Sequence, residues 1–470
     1  MKMKKRQKLT ALLTAAVLLI TAASGCSAPG GSSSGNSSSG SGSGSTAPAA
    51  DLDAPVVGVE DAAAARQLRE AAASSLYQLA QSDPTCTNGL LPPMYESRED
   101  IYKAIPEDAG TYKPEDIKIG QQIYMLKNDW FVEFVEGAEA AAADYGVELV
   151  TLSADGTDEG CLNAVDNLIA QGCQGLLLCA VSLDVNDALA DMCTQSDVMC
   201  VGAGVPVSAD TGVLTSFLLN NFWGGFVVGQ VCGEALENEH IIAACSLSYW
   251  GESNSESRMA GAIAGIFYTR AQQMGLSYTQ EECAEMAIEF WQQVRLNGSN
   301  ASEEFDFEVV NVGESDNTEE GGQITAENAF TAHPDINLFI TNNDFEGIGV
   351  CNAAESMGIT LGENGCWVAS VSDGNMMAIE RIKEGTYLAT LDSGAYSNGY
   401  SCVKLLCEIL INGYDANNLP QYTCPPYEAI TIENADEYYE EGIVLSRGAE
   451  LAEVVTIPEY NAQQAAALAG

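Results

Sequence analysis

The sequence predicts an α/β protein of two successive lobes, each an open parallel sheet covered by helices on both faces. Two observations predict it. From Lys118 onward, apolar runs of strand length alternate with amphipathic segments of helix length. After a less regular passage the alternation begins again, and the chain's 470 residues leave room for a second unit. In the first unit, strands are expected at 119–125, 147–152, 175–179 and 198–201, with helices at 130–145, 159–171 and 185–195. In the second, strands are expected at 240–245, 307–312, 338–341, 367–371 and 387–391. Its helices fall at 255–274, 318–332, 345–357, 374–384 and 395–411. The stretch 277–304 breaks this rhythm and reads as an insertion. Open sheets of this kind bind ligands at the carboxyl ends of their strands, so the cleft between the lobes is the expected site.

Ahead of the first unit lies a preface, 55–117, in which 62–81 has helical spacing and Ser82-Asp83-Pro84 stops it. Residues 88–114 are rich in proline and turn formers.

The N-terminus reads as an export signal. Five basic residues (Lys2, Lys4, Lys5, Arg6, Lys8) precede an apolar run from Leu9 to Ala23, too short for a comfortable membrane span. Small residues then lead into Cys26, in a pattern that resembles a bacterial lipobox, whose cysteine is acylated. The Gly/Ser-rich stretch that follows is a solvated tether, with an r.m.s. reach of roughly 25–30 Å. These features place the protein outside the cytoplasmic membrane, anchored through Cys26, in a Gram-positive type of envelope.

The chain carries 19 basic and 66 acidic residues. With five basic residues ahead of Cys26, the remainder holds fourteen and a formal charge of −52. Such a surface repels nucleic acid and anionic headgroups, which makes both poor partner candidates. Fourteen further cysteines are scattered without a CxxC pair, and only His240 and His333 are available as imidazole ligands. No metal site or cofactor is expected. Cysteines inside apolar runs, such as Cys179 and Cys200, read as buried thiols, although export permits disulfides and the sequence does not fix a pairing. No Walker loop or His-Glu-x-x-His motif occurs.

Several short signatures, in order, carry a family resemblance. Lys118-Ile119-Gly120 followed by Asn128-Asp129-Trp130-Phe131 resembles an opening strand and its ligand loop. Asn220-Asn221-Phe222 with Gly224-Gly225 resembles a crossing into the second lobe, and Arg258-Met259-Ala260-Gly261 an Arg-x-x-Gly helix start. Asn342-Asn343-Asp344, Ser372-Asp373-Gly374 and Ile430-Thr431-Ile432-Glu433-Asn434 complete the set. Together they resemble the type I periplasmic binding proteins, in the ribose/galactose-type sugar-binding branch that serves ABC transporters. The resemblance implies two Rossmann-like lobes joined by a three-crossing hinge, closing over a small polar ligand, a sugar or related polyol. It places Asn128, Trp130, Phe131, Arg258, Asn343 and Asp373 on ligand positions. An aromatic ring offers apolar area to a sugar's C–H face, Arg a planar fork of donors, and a carboxylate acceptors. For Asn343 and Asp373, helix capping is the competing role.

Departures from the family pattern concentrate in the first lobe. The usual Asp-Arg pair is replaced by Gly202-Ala203-Gly204, and the usual asparagine by Cys179. The hinge glutamine falls at Ser393, beside Asp392. Tyr249, Trp250, Glu252 and Asn254 are candidates to compensate. The expected organisation is a signal at 1–26, a tether at 27–54, the preface at 55–117, a first lobe of 118–221 plus 394–427, a second lobe of 222–393 plus 428–445, and a tail at 446–470. The expected function is ligand capture by hinge closure and delivery to an ABC permease, without catalysis. A sensor lipoprotein that presents its ligand to a membrane kinase or chemoreceptor is the alternative.

Overall fold

The computed structural model describes residues 51–99, 105–127, 129–208, 211–425, 427–440, 443–444 and 451–469. The signal, most of the tether and Cys26 lie outside the described residues, as does Asn128. Among the described residues, no helix is long and apolar enough to cross a membrane.

The first lobe opens with β1 (Lys118–Ile123), β2 (Glu148–Ser153), β3 (Gly175–Cys179), β4 (Met199–Ala203) and β5 (Ser216–Phe217). The second contributes β6 (Ile241–Leu247), β7 (Asn300–Ser302), β8 (Phe307–Glu314), β9 (Leu338–Thr341), β10 (Trp367–Ser370) and β11 (Ala389–Leu391). The chain then returns to the first lobe as β12 (Tyr422–Thr423) and again to the second as β13 (Ala429–Thr431). Strand order is β12-β5-β4-β3-β1-β2 in one sheet and β13-β11-β10-β9-β6-β8-β7 in the other. The passages β5 to Asn221, β11 to Ala395 and β12 to β13 are the three crossings of the hinge. The first sheet is parallel throughout. The second is parallel at its centre, but β7 and β13 pair antiparallel at its two edges.

The interior strands are short and buried on both faces, as parallel sheets require. Helices begin where a short polar side chain can accept an otherwise unpaired N–H. Thr157 accepts from Gly160, Thr318 from Gly321 and Asn375 from Ala378, each at 3.0 Å. All fourteen described cysteines are free thiols, thirteen of them buried and Cys424 half-buried.

Three regions differ from expectation. The helix expected at 62–81 is two, Ala62–Ala72 and Ser75–Ser82, separated at extended Ser74. The break lets the first piece pack on a C-terminal helix, Ile457–Ala469, and the second on helix Gln280–Asn297. Tertiary contacts here override a continuous helical pattern. The stretch 277–304 contains that second partner helix, started by a Thr279/Glu282 capping box and burying Ile288, Trp291 and Val294. Helix Asn221–Ala235 was not anticipated. It is buried nearly all round, so it lacks the polar face that marks a helix in sequence.

The first part of the preface belongs to the second lobe's core, whereas Ile117 at its end is buried in the first lobe's. Leu76, Ala80, Cys86 and Leu90 are buried in the same cluster as Phe222, Ile263 and Trp291. Each fully buried leucine among them contributes about 1.5–3 kcal/mol.

Helix Asn221–Ala235 lies on helix Ser253–Met274 almost backbone to backbone. A Cβ on Gly261 would fall 1.9 Å from the Phe222 carbonyl oxygen, and one on Gly229 would fall 2.0 Å from that of Ala262. Gly261→Ala therefore forces the helices apart, an overpacking cost of about 1–3 kcal/mol. Calorimetry should show a lower melting temperature for this variant.

Candidate ligand-binding site

A cavity of about 670 Å³ opens between the lobes, at the carboxyl ends of the central strands. The first lobe supplies Tyr124 and Met125 after β1, Trp130 and Phe131 from the start of helix Asp129–Tyr145, Cys179 to Val181 after β3, and Gly204 and Val205 after β4. The rings form one connected wall. Trp130 stacks on Phe134 at 5.5 Å and meets Phe131 edge-on at 5.3 Å, and Phe131 reaches Tyr124 at 6.3 Å. The indole also covers Gly204, where a Cβ would sit 3.2 Å from its Cη2. The place where the family resemblance expects a charged pair is thus closed over by tryptophan. Apart from the Tyr124 hydroxyl and Lys127, the described side chains of this wall offer little for hydrogen bonding.

The second lobe is the opposite. Arg258, in helix Ser253–Met274, donates from Nε to Asn221 Oδ1 at 2.8 Å. Its Nη1 donates to the carbonyl and side-chain oxygens of Asn342, each at 3.1 Å. Burial pushes the guanidinium below its ordinary value, and the charges of Asp373, Glu252 and Glu346 push back. Behind this surface two carboxyls are fully buried. Glu346 is pushed up to about 7 by burial, opposed by hydroxyl donors including Ser248 at 3.0 Å. Asp344 is also raised, by burial and then by the charge of Asp373. Thr390 Oγ1 and the Asn375 N–H both donate to it at 2.7 Å, and Ser370 donates as well.

Five of the six ligand positions proposed from sequence line this one cavity: Trp130, Phe131, Arg258, Asn343 and Asp373. Asn128, the sixth, lies outside the described residues. Asn343 is also the N-cap of helix Asp344–Met357, accepting from Glu346 at 3.1 Å, and its Nδ2 donates to Asn317 at 2.8 Å. Asp373 is not a cap: Asn375 takes that role, and Asp373 sits at φ 94° between Ser372 and Gly374. Tyr249, Glu252 and Asn254 reach the cavity, whereas Trp250 stacks on Trp291 at 6.0 Å instead. Asp392 and Ser393 do not line it; Asp392 accepts from the Gly394 N–H at 2.8 Å. Sequence reasoning missed Asn221 and Asn342 as the groups that hold Arg258. Both were visible as members of Asn-Asn pairs, but nothing in the sequence said which amide faces the arginine.

Two lobes joined by three crossings around a cleft with one apolar and one polar wall define a ligand-clamping protein. The chain belongs to the periplasmic binding protein domain family, whose model matches residues 123–414, well over half its length. This is a family of solute binders rather than enzymes. No curated protein matches the sequence. Among solved structures, an ABC transporter solute-binding protein from Bacillus halodurans with bound myo-inositol is 19% identical. It covers 70% of this chain and 99% of its own, with a TM-score of 0.55. A periplasmic ribose ABC transporter protein from Conexibacter woesei is 18% identical over 70% of this chain and 96% of its own, also at 0.55. A Mycobacterium smegmatis ABC transporter solute-binding protein with bound glycerol is 18% identical over 71% and 99%, again at 0.55.

The buried Glu346 sets a pH dependence. A carboxyl raised by burial costs nothing while protonated in both states. Stability then falls as pH rises from its ordinary value of 4.5 to about 7, and levels above that. Glu346→Gln removes this cost without changing shape. Between pH 4.5 and pH 8 the variant should gain on the order of 3 kcal/mol relative to the natural protein. Thermal melts across that range check the slope.

Proposed function

We propose that the protein is an extracytoplasmic solute receptor, anchored through acylated Cys26 to the outer face of the cytoplasmic membrane. It clamps a saccharide between its lobes and delivers it to an ABC importer. One observation carries the reading: a cleft in which an aromatic wall on one lobe faces a fixed arginine and a set of amides and carboxylates on the other. Family membership supports solute binding. The bound myo-inositol and the ribose in the names of the structural relatives support a polyhydroxylated ligand. In this reading Trp130 and Phe131 stack on the ring, Arg258 and Asp373 bond its hydroxyls, and Asn343 shapes the polar wall.

The unequal walls narrow the ligand further. A hexose with hydroxyls all round would leave those facing Trp130, Val181 and Val205 without partners, at about 1–3 kcal/mol for each one desolvated. The favoured ligand turns an apolar face or substituent to the first lobe and its hydroxyls to the second. Because both lobes touch it, ligand stabilises the closed arrangement by its differential affinity for that state.

A thermal-shift screen of sugars, polyols and aryl glycosides tests this. Ligand at a hundred times its Kd should stabilise the protein by roughly 2.7 kcal/mol. Arg258→Ala should weaken a hit by about ten- to a hundredfold, because a charge-assisted bond is lost, and Trp130→Ala by about tenfold. If no saccharide produces a shift, the sugar assignment fails. If a hit survives both substitutions, the assigned site fails.

A further inference from the structure

The preface does more than cover a surface: it crosses between the lobes where the hinge does. On the second lobe, Asp83 pairs with Arg295 at 2.6 Å, and Cys86 and Leu90 are buried in the core cluster that includes Trp291. A few residues later the chain is fastened to the first lobe. The Arg98 N–H donates to Asn418 Oδ1 at 2.7 Å, and the guanidinium to the carbonyls of Leu419 at 3.2 Å and Val213 at 3.4 Å. The span between these anchors is itself held. Asn461 accepts from the Tyr95 N–H at 2.8 Å and donates to its carbonyl at 2.9 Å, while the Tyr460 hydroxyl donates to the Pro92 carbonyl at 2.6 Å.

Asn88 marks the crossing point. Its N–H donates to Ser257 Oγ at 2.8 Å, and its carbonyl accepts from the Phe222 N–H at 3.0 Å. The next residue must be glycine, since a Cβ on Gly89 would fall 2.6 Å from the Asn221 nitrogen. The Asn88 side chain donates from Nδ2 to Asn254 Oδ1, a residue of the ligand cavity, and to Ser253 Oγ at 3.2 Å. Chemistry fixes the direction of this network. Arg258 Nε can only donate, so Asn221 must face it with Oδ1. Asn221 therefore turns Nδ2 towards Asn254, which receives it on Oδ1 at 3.2 Å. With Oδ1 claimed from two sides, Asn254 is left with its NH2 to offer the cavity.

We propose that residues 83–98 form a fourth connection between the lobes, and that Asn88 is a positioning residue that sets Asn254 as a donor in the ligand cavity. The proposal goes beyond family membership, because these residues lie outside the matched span of 123–414. It rests on no ligand assignment.

Hydrogen–deuterium exchange on the full chain, with no ligand added, tests it. Asn88→Ala should speed exchange at residues 251–258 by about fivefold, the factor expected for losing one ordinary hydrogen bond. The first-lobe strand at 175–179 should not change. In an Asn254→Ala background the same substitution should add a clearly smaller factor at 251–258, because of its two side-chain contacts there only the 3.2 Å bond to Ser253 Oγ remains. Unchanged exchange at 251–258 would overturn the proposal, as would a uniform rise across both lobes, which marks a purely structural role. Should Asn88→Ala fail to fold, Asn254→Ala alone decides: exchange at 86–90 must rise by a similar factor, and no change there refutes the link.

Discussion

The arrangement of the second lobe depends on the near-contact of two helix backbones. Gly225, Gly229, Gly261 and Gly265 each face backbone of the partner helix, where a Cβ would hold helices Asn221–Ala235 and Ser253–Met274 apart. Asn221 begins one of these helices and Arg258 projects from the other, so their 2.8 Å bond is a product of the glycine contact. The first lobe repeats the device. A Cβ on Gly137 would fall 2.0 Å from the Tyr396 carbonyl, and one on Gly399 would fall 1.9 Å from that of Phe134. Phe134 is the ring on which Trp130 stacks, so the aromatic wall too is referred to a glycine-lined helix pair. Close-packed interiors do not deform continuously, and this makes each wall a rigid face that the hinge can move as a unit.

The polar wall is costly to build, and its construction shows how the cost is contained. Glu346 and Asp344 are buried where ionised carboxylates are disfavoured, yet each is surrounded by donors: Ser248 and Asn343 for one, Ser370, Thr390 and the Asn375 N–H for the other. Their effect is to hold the loops after β9 and β10 in place, which puts Asn342, Asn343 and Asp373 at the cavity. The carboxyls thus act on the site through the backbone around them. A wall whose donors and acceptors are already fixed loses little freedom when ligand arrives, so more of the contact energy is left to favour closure.

Much of this was legible in the sequence, for identifiable reasons. Strands buried on both faces announce themselves as apolar runs, so β3, β4 and β9 fall within two residues of their expected positions. Residues of the cavity lining were legible where they follow strand ends in short polar clusters, as with Asn342-Asn343 after β9. What escaped lacks a periodic signal. Helix Asn221–Ala235 is buried all round, and the break at Ser74 answers to two partners far along the chain. Trp250 illustrates a different limit. As a ring on a loop beside the cleft it was a natural ligand candidate, but the partner that takes it, Trp291, belongs to the stretch that had looked like an insertion. Preface and insertion were each opaque alone because each is the other's packing partner, through Asp83 and Arg295.

Charge gives the last constraint on what such a cleft can hold. The chain after Cys26 carries a formal −52, so its long-range field opposes the approach of anions. Within the cavity, Arg258 stands among Glu252, Asp373 and the more deeply placed Glu346. Even with Lys127 on the same lining, Glu252, Asp316, Glu319 and Asp373 outnumber the cations, so this arginine has around it no excess positive charge with which to hold a phosphate or a carboxylate. It does retain the fixed geometry of its N–H groups, which is what recognition of a neutral hydroxyl requires. The net acidity that makes nucleic acid a poor partner on the outside therefore has a counterpart inside. Both disfavour an anionic ligand.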